Sequence, residues 1–173
     1  DLGGNQGALV NLEYQLDWTA EEGLPDMFKV GLFQHSGDFI DLTDGSVSNN
    51  SWGAYAVLDK PLSERIGWFG RVGFTKASVS IAPWSLETGI TIANVFGGEG
   101  TFGAALAYVD INRDLRPILE VDVNNETIIE LTYDYAFNEH FSLQPDLQYI
   151  LNTGGFDEGG DTLVVGVRGK LSF

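Results

Sequence analysis

Residues 129–151 read IELTYDYAFNEHFSLQPDLQYIL. From Ile129 to Phe137, the side chains of Ile129, Leu131, Tyr133, Tyr135 and Phe137 alternate with those of Glu130, Thr132 and Asp134. After a short polar break the pattern resumes, with Phe141, Leu143, Leu147, Tyr149 and Leu151 set against Ser142, Gln144, Asp146 and Gln148. Successive side chains of a strand point to opposite faces, so a period of two predicts two strands, each with one greasy and one wet face. The short break between them predicts an antiparallel hairpin.

The same alternation recurs along the chain. Ala8, Val10, Leu12, Tyr14, Leu16 and Trp18 oppose Asn11, Glu13, Gln15 and Asp17. Leu163, Val165, Val167, Leu171 and Phe173 oppose Arg168, Lys170 and Ser172. Weaker copies lie between, and segment 51–59 is strand-like without a clear assignment of faces. Nine strands are predicted, at about 8–18, 26–36, 51–59, 66–76, 86–96, 101–111, 126–137, 140–151 and 162–173. Most have roughly the 9–11 residues with which a tilted strand crosses a bilayer. Short turns near 19–25, 60–65, 97–100 and 138–140 alternate with mostly longer connections near 37–50, 77–85, 112–125 and 152–161, which are rich in Asp, Asn, Gly and Ser. Transmembrane barrels have this asymmetry of short inner turns and longer outer loops.

Composition narrows the class. With 43% hydrophobic and 12% aromatic residues, the chain is too apolar for disorder. No apolar run approaches the roughly 18 residues of a membrane helix. The absence of cysteine removes disulfides, thiolate metal sites and thiol catalysis from consideration. A formal charge of −16 repels nucleic acid. No basic, apolar signal segment opens the chain, which suggests a mature form or a fragment.

Alternation alone also fits a soluble lipocalin-like carrier whose apolar face turns inward. Two features favour lipid. Aromatic residues gather at strand ends as an interfacial girdle would: Trp18, Trp68, Phe96, Tyr135, Phe137, Phe141 and Phe173. The last predicted strand also ends on an aromatic residue, Phe173, as in outer-membrane barrels. The expected fold is therefore an all-β, antiparallel transmembrane β-barrel, with residues 1–173 as one domain or the C-terminal portion of one. Single-chain bacterial barrels normally close with an even number of strands. Nine strands favour a segment lacking at least one upstream strand; a complete eight-stranded barrel remains the alternative.

Several motifs resemble the carbohydrate-selective porins, the OprB-like family. The segments FSLQPDLQYILNTGG and DTLVVGVRGKLSF resemble that family's C-terminal end, with Glu130 and Tyr133 in the preceding strand and Gly154, Gly155, Gly166, Arg168 and Phe173 in the closing elements. LPDMFKVGLFQHSGDF resembles an earlier family strand, with Asp26 standing where Gly is usual. WGAYAVLDKPL and GWFGRVGF resemble two further segments. The resemblance implies part of a larger barrel of about sixteen strands, located in the outer membrane of a Gram-negative-type bacterium and admitting sugars passively. It implies no cofactor and no enzymatic activity. Expected partners are the lipid bilayer, lipopolysaccharide, small sugars in transit, and a second copy of the chain if the barrel forms a homo-oligomer.

The polar face is the expected pore lining: Asn11, Glu13, Gln15, Asp17, Lys29, Arg71, Glu87, Glu130, Asp134, Gln144, Asp146, Gln148, Arg168 and Lys170. Carboxylates, amides and guanidinium groups supply the directional donors and acceptors that sugar hydroxyls need. Arg71, Arg168, Glu130 and Asp146 come first, because their motifs match the family. Generic wall polarity is the plainer reading of each residue. Glu130 with Asp134 could be taken for a glycosidase pair, but nothing marks either as a buried acid. His35, Ser36 and Asp38 could be taken for a triad, but neighbours on a strand point apart. Asp38, Asp41 and Asp44, and likewise Asp157, Glu158 and Asp161, lack the spacing of a calcium loop and are expected to be solvated loop residues, with no metal. The glycines at 97, 98 and 100 join strands and cradle no phosphate. A plugged structural or adhesive barrel is the rival to the pore.

Overall fold

The computed structural model describes residues 6–19, 25–95, 98, 100–115, 122–156 and 159–172. All nine predicted strands form, within one to three residues of the expected ends: β1 (Leu9–Thr19), β2 (Pro25–His35), β5 (Ser51–Pro61), β6 (Ile66–Thr75), β7 (Trp84–Ala93), β8 (Thr101–Asp110), β9 (Asn125–Asn138), β10 (Phe141–Leu151) and β11 (Thr162–Leu171). The long connection predicted over 37–50 carries a small hairpin of its own, β3 (Phe39–Ile40) and β4 (Val47–Ser48). Strand β7 lies two to three residues earlier than expected. Asn94 adopts a left-handed conformation (φ 56°), which turns the chain out of the sheet directly after Ala93.

The nine long strands make one meandering sheet in the order β1-β2-β5-β6-β7-β8-β9-β10-β11, every neighbouring pair antiparallel. The sheet is open, with β1 and β11 at its edges. Directly paired residues share a face, so the registers carry each face across the molecule. One row runs Tyr14, Val30, Ala56, Val72, Leu86, Tyr108, Thr127, Leu151. The next row, on the opposite face, runs Gln15, Lys29, Val57, Arg71, Glu87, Ala107, Ile128, Ile150, Thr162. The ambiguous strand β5 is thereby assigned: Trp52, Ala54, Ala56 and Leu58 lie on the apolar face, Tyr55, Val57 and Asp59 on the polar one. Its sequence concealed this because both faces carry apolar side chains.

Among the described residues, no second layer covers the apolar face. Even on central strands, Leu86, Leu106, Leu131 and Leu147 keep about 40% of their surface exposed. Among the described residues the buried hydrophobic side chains are Leu115 and Val123, both in the connection between β8 and β9. A continuous greasy face of this extent is stable only against an apolar medium. Some of the polar groups on it are paired with one another. Trp68 lies over Gly70 and donates its indole N–H to Thr88 Oγ1 at 3.0 Å; Thr88 in turn donates to the Phe69 carbonyl at 2.9 Å.

The long connections interlock into a rim. The β3–β4 hairpin is tied to the β6–β7 connection by Leu42 N–H to the Ser78 carbonyl (2.7 Å) and by Lys76 Nζ to Ser48 Oγ (2.7 Å) and Asn50 Oδ1 (2.8 Å). Buried Asn112 donates from Nδ2 to the carbonyls of Ala77 (2.7 Å) and Ser80 (3.1 Å), joining the β8–β9 connection to the same loop. Val123 bridges to Phe156, and Asn124 N–H donates to the Gly155 carbonyl at 2.8 Å. At the opposite end, two-residue turn 139–140 and segment 62–65 connect the strands tightly.

Candidate pore lining

Every residue expected to line the pore lies on the polar face, but they fall into separate groups. On β1 and β2, Glu13 lies 3.6 Å from Lys29 Nζ and accepts the phenol O–H of Tyr55 from β5. Gln15 Nε2 donates to both oxygens of Asp17 (3.0 and 2.8 Å). On β6 and β7, Arg71 pairs directly with Glu87 in register, and Nη1 approaches Oε2 at 3.4 Å. The same guanidinium sits 5.0 Å above the ring of Phe69, a cation–π contact that fixes its plane. Both partners of that ion pair remain about half exposed, so it orients the guanidinium more than it stabilises the fold.

The second group occupies β9, β10 and β11. Glu130, Gln144, Asp146, Gln148 and Arg168 converge on one cavity of about 240 Å³, floored by Gly166. Gln148 Nε2 donates to Glu130 Oε2 at 2.8 Å, and Arg168 Nη1 approaches Gln144 Oε1 at 3.5 Å. Glycine at 166 matters because it pairs with Asp146 and leaves the space before that carboxylate open. Toward the short-turn end a second cavity, of about 300 Å³, is lined by Asp134, Ser142, Glu139, His140 and Lys170. Seven of the expected lining residues thus form two consecutive polar cups along one wall. Between this wall and the Arg71 group, β8 shows the polar side only Thr101, Gly103, Ala105, Ala107 and Val109, so the two groups do not form one site.

The alternative chemistries have no matching geometry. Glu130 and Asp134 line different cups, and four residues of strand separate them by about 14 Å, beyond the roughly 5–9.5 Å of glycosidase pairs. His35 Nδ1 accepts the Gly37 N–H at 3.0 Å, while the Ser36 hydroxyl accepts from Ala8 N–H at 3.0 Å, so the two do not address each other. Among the described residues, no three His, Cys, Asp or Glu side chains converge as metal ligands. The loop carboxylates Asp41 and Asp44 instead close tight turns, accepting the N–H groups of Thr43 (3.0 Å) and Ser46 (2.9 Å). Hydrogen bonds from Thr43 and then Ser78 hold Asp41 below the usual carboxylate range; Ser46 does the same for Asp44.

Of the aromatic residues expected at the short-turn end, Trp18, Trp68, Tyr135, Phe137 and Phe141 lie on the apolar face. Trp18 pairs with Asp26, and Trp68 with Lys60. Tyr135 packs edge-on against Phe137 at 4.9 Å, and Phe137 stacks on Phe141 at 5.4 Å across the hairpin turn. Phe96 and Phe173 lie outside the described residues, as do Asp157 and Glu158. A second aromatic band, unforeseen from the sequence, occupies the long-loop end: Phe74 stacks on Trp84 at 6.4 Å and Trp84 meets Tyr108 in a tilted contact at 4.8 Å, with Trp52 nearby in the sheet. Its members sit on four different strands, and only the register lines them up. Asp26, the residue in the usual glycine position, is buried on the apolar side and approached by Lys60 Nζ at 3.4 Å.

Sequence reasoning also missed Phe33, Tyr55, Asp59, Phe69 and Glu126 on the polar face. Asp59 and Glu126 were readable as charged strand residues once the faces of β5 and the start of β9 were known. The aromatics broke the simple rule that apolar side chains point one way.

A meandering antiparallel sheet with strands of bilayer length, one uncovered apolar face banded by aromatics at both ends and one polar face with cups, defines a wall of a transmembrane β-barrel of the porin class. Residues 1–173 match the family model described as "Carbohydrate-selective porin, OprB family", and the chain belongs to that family. Its fold is similar to that of OprB from Pseudomonas putida in a structure determined at high pH, with TM-score 0.88 and 19% identity. That match covers 97% of this chain and 49% of the other, so the chain spans about half the length of this structural relative. No curated protein matches the chain. The open nine-stranded sheet corresponds to part of an outer-membrane porin barrel.

Proposed function

We propose that residues 1–173 act as one membrane-embedded unit, part of the wall of a larger closed barrel, through which small hydrophilic solutes, sugars foremost, diffuse passively across the outer membrane. The observation that carries this reading is the convergence of Glu130, Gln144, Asp146, Gln148 and Arg168 into a polar cup on the face opposite the greasy one. Lipid covers the apolar side, and its aromatic bands sit at the two headgroup levels, the outer one in contact with lipopolysaccharide. Open sheet edges are not tolerated in lipid, so β1 and β11 pair with further strands when the barrel closes. Copies of the barrel that associate do so through the apolar exterior.

The chemistry is recognition without reaction. Sugar hydroxyls exchange water for the carboxylates, amides and guanidinium of the wall, each a donor or acceptor of fixed direction. Cups of about 240 and 300 Å³ fall at or below the roughly 300–1,000 Å³ of pockets that retain ligands. Weak, repeated contacts of this kind let solute leave as readily as it enters. No step consumes the solute, and none requires a cofactor.

Planar-bilayer recording of the purified porin tests the reading. Stable single-channel conductance, blocked reversibly by D-glucose and more weakly after Arg168→Met, is expected. A heat-modifiable, membrane-extracted protein that conducts no ions would instead establish a plugged structural barrel.

A further inference from the structure

We propose that Phe33 and Tyr55 form an aromatic stacking station for the pyranose ring of a passing sugar, on the pore side of β2 and β5. The proposal rests on the reading of this face as the wall of a sugar pore.

Aromatic rings on a water-lined wall need a reason, because their burial against lipid would be favourable. Here each ring lies over a glycine of the neighbouring strand. Phe33 pairs with Gly53, and its ring occupies the space that a Cβ at Gly53 would fill. Tyr55 pairs with Gly31, and its ring likewise occupies the Cβ space of Gly31. The two pairs are successive rungs of the polar face, two residues apart along the same ladder, so the rings cross the strand boundary in opposite directions. Each ring sits against a glycine and is half-buried overall, on the face that also carries Glu13 and Lys29.

The surroundings suit a sugar. A pyranose has C–H groups on its flat faces and hydroxyls around its rim, so it calls for an aromatic face edged by polar groups. The Tyr55 phenol donates to the Glu13 carboxylate, which holds the ring in place, and Lys29 Nζ lies 3.6 Å from the same carboxylate. An acceptor and a cation therefore border the rings. Phe69 offers a contrast. It also lies over a glycine, Gly89, but the Arg71 guanidinium already covers it at 5.0 Å. That ring supports an arginine; among the described residues, no cation–π or ring–ring contact covers Phe33 or Tyr55.

A purely structural role, with the rings shielding glycine backbone and pinning register, predicts a different result from stacking. The test compares half-block concentrations for D-glucose and for the open-chain polyol D-glucitol, using the native porin purified from outer membranes. Phe33→Leu and Tyr55→Leu are each expected to raise the glucose value by about three- to tenfold while leaving the glucitol value within twofold; Tyr55→Phe retains the wild-type preference. The proposal is overturned if leucine variants of normal conductance keep the glucose value, or shift both solutes equally. Should the leucine variants not assemble, Tyr55→Trp, which enlarges the ring, is expected to tighten glucose block, and an unchanged value overturns stacking. A wild-type channel that conducts but is indifferent to glucose sinks the sugar-pore reading itself, an outcome distinct from loss of the station alone.

Discussion

Placing an arginine at Leu131 is expected to destabilise the barrel severely, whereas an arginine one residue away at Thr132 is not. Leu131 pairs with Ala104 and Leu147 on the apolar face, Thr132 with Gly103 and Asp146 on the polar face. Leu131 sits on a central strand, so its 41% exposure owes nothing to the open edges of the sheet. It is six residues from the Asn125 end of β9 and seven from the Asn138 end. At about 3.4 Å per residue and a tilt near 40°, it lies roughly 16–18 Å along the membrane normal from either end, close to the midplane. A lipid-facing arginine at that depth costs about 2–4 kcal/mol, or roughly 30- to 900-fold in the folding equilibrium. Reversible urea unfolding of the barrel in liposomes, followed by tryptophan fluorescence and heat-modifiable migration, measures this. Thr132→Arg should fold within about 1 kcal/mol of wild type and alter ion selectivity instead. Equal destabilisation by both, or a larger effect at Thr132, would show that the faces have been assigned backwards.

Three further outcomes follow from local geometry. Asn112→Ala removes two hydrogen bonds from a buried amide that ties adjacent loops, so it should cost about 1–3 kcal/mol and expose the connection between β8 and β9 to limited proteolysis before the strands yield. Lys60→Met should be more damaging than Asp26→Gly, because the first leaves a buried carboxylate without its cation while the second releases a half-exposed lysine to the headgroup region; comparing urea midpoints decides it. Asp41 has a depressed folded pKa, so its contribution to ordering the β3–β4 hairpin is complete above its unfolded value of 3.8 and is lost as pH falls through the lower folded value. The hydrogen-exchange protection factor of Thr43 N–H should therefore be constant at about pH 5–7 and fall below about pH 4, and Asp41→Asn should flatten that profile.

Much of the fold was legible because β-strand chemistry is local. The alternation in 129–151 and 8–18 gave strand, length and face together, since a period of two leaves only the choice of which face meets lipid. The candidate lining was legible for the same reason: Glu130, Gln148 and Arg168 each occupied the polar phase of a strand. What failed was reading along a single strand where both phases are apolar. In β5, Tyr55 and Val57 on the pore side look no different from Trp52 and Leu58 on the lipid side, and the hairpin within 37–50 is too short to show a period.

The sequence by itself determined the strands, the two faces of those that alternate cleanly, the turn asymmetry and the family, because each depends on side chains a few residues apart. Only the tertiary structure decided which residues meet. The cup of Glu130, Gln144, Asp146, Gln148 and Arg168, the Phe74–Trp84–Tyr108 band and the rings over Gly31 and Gly53 all depend on inter-strand register. Register is a property of pairs of strands, set by ladder hydrogen bonds and by which glycine leaves room for which ring, and no single strand contains it.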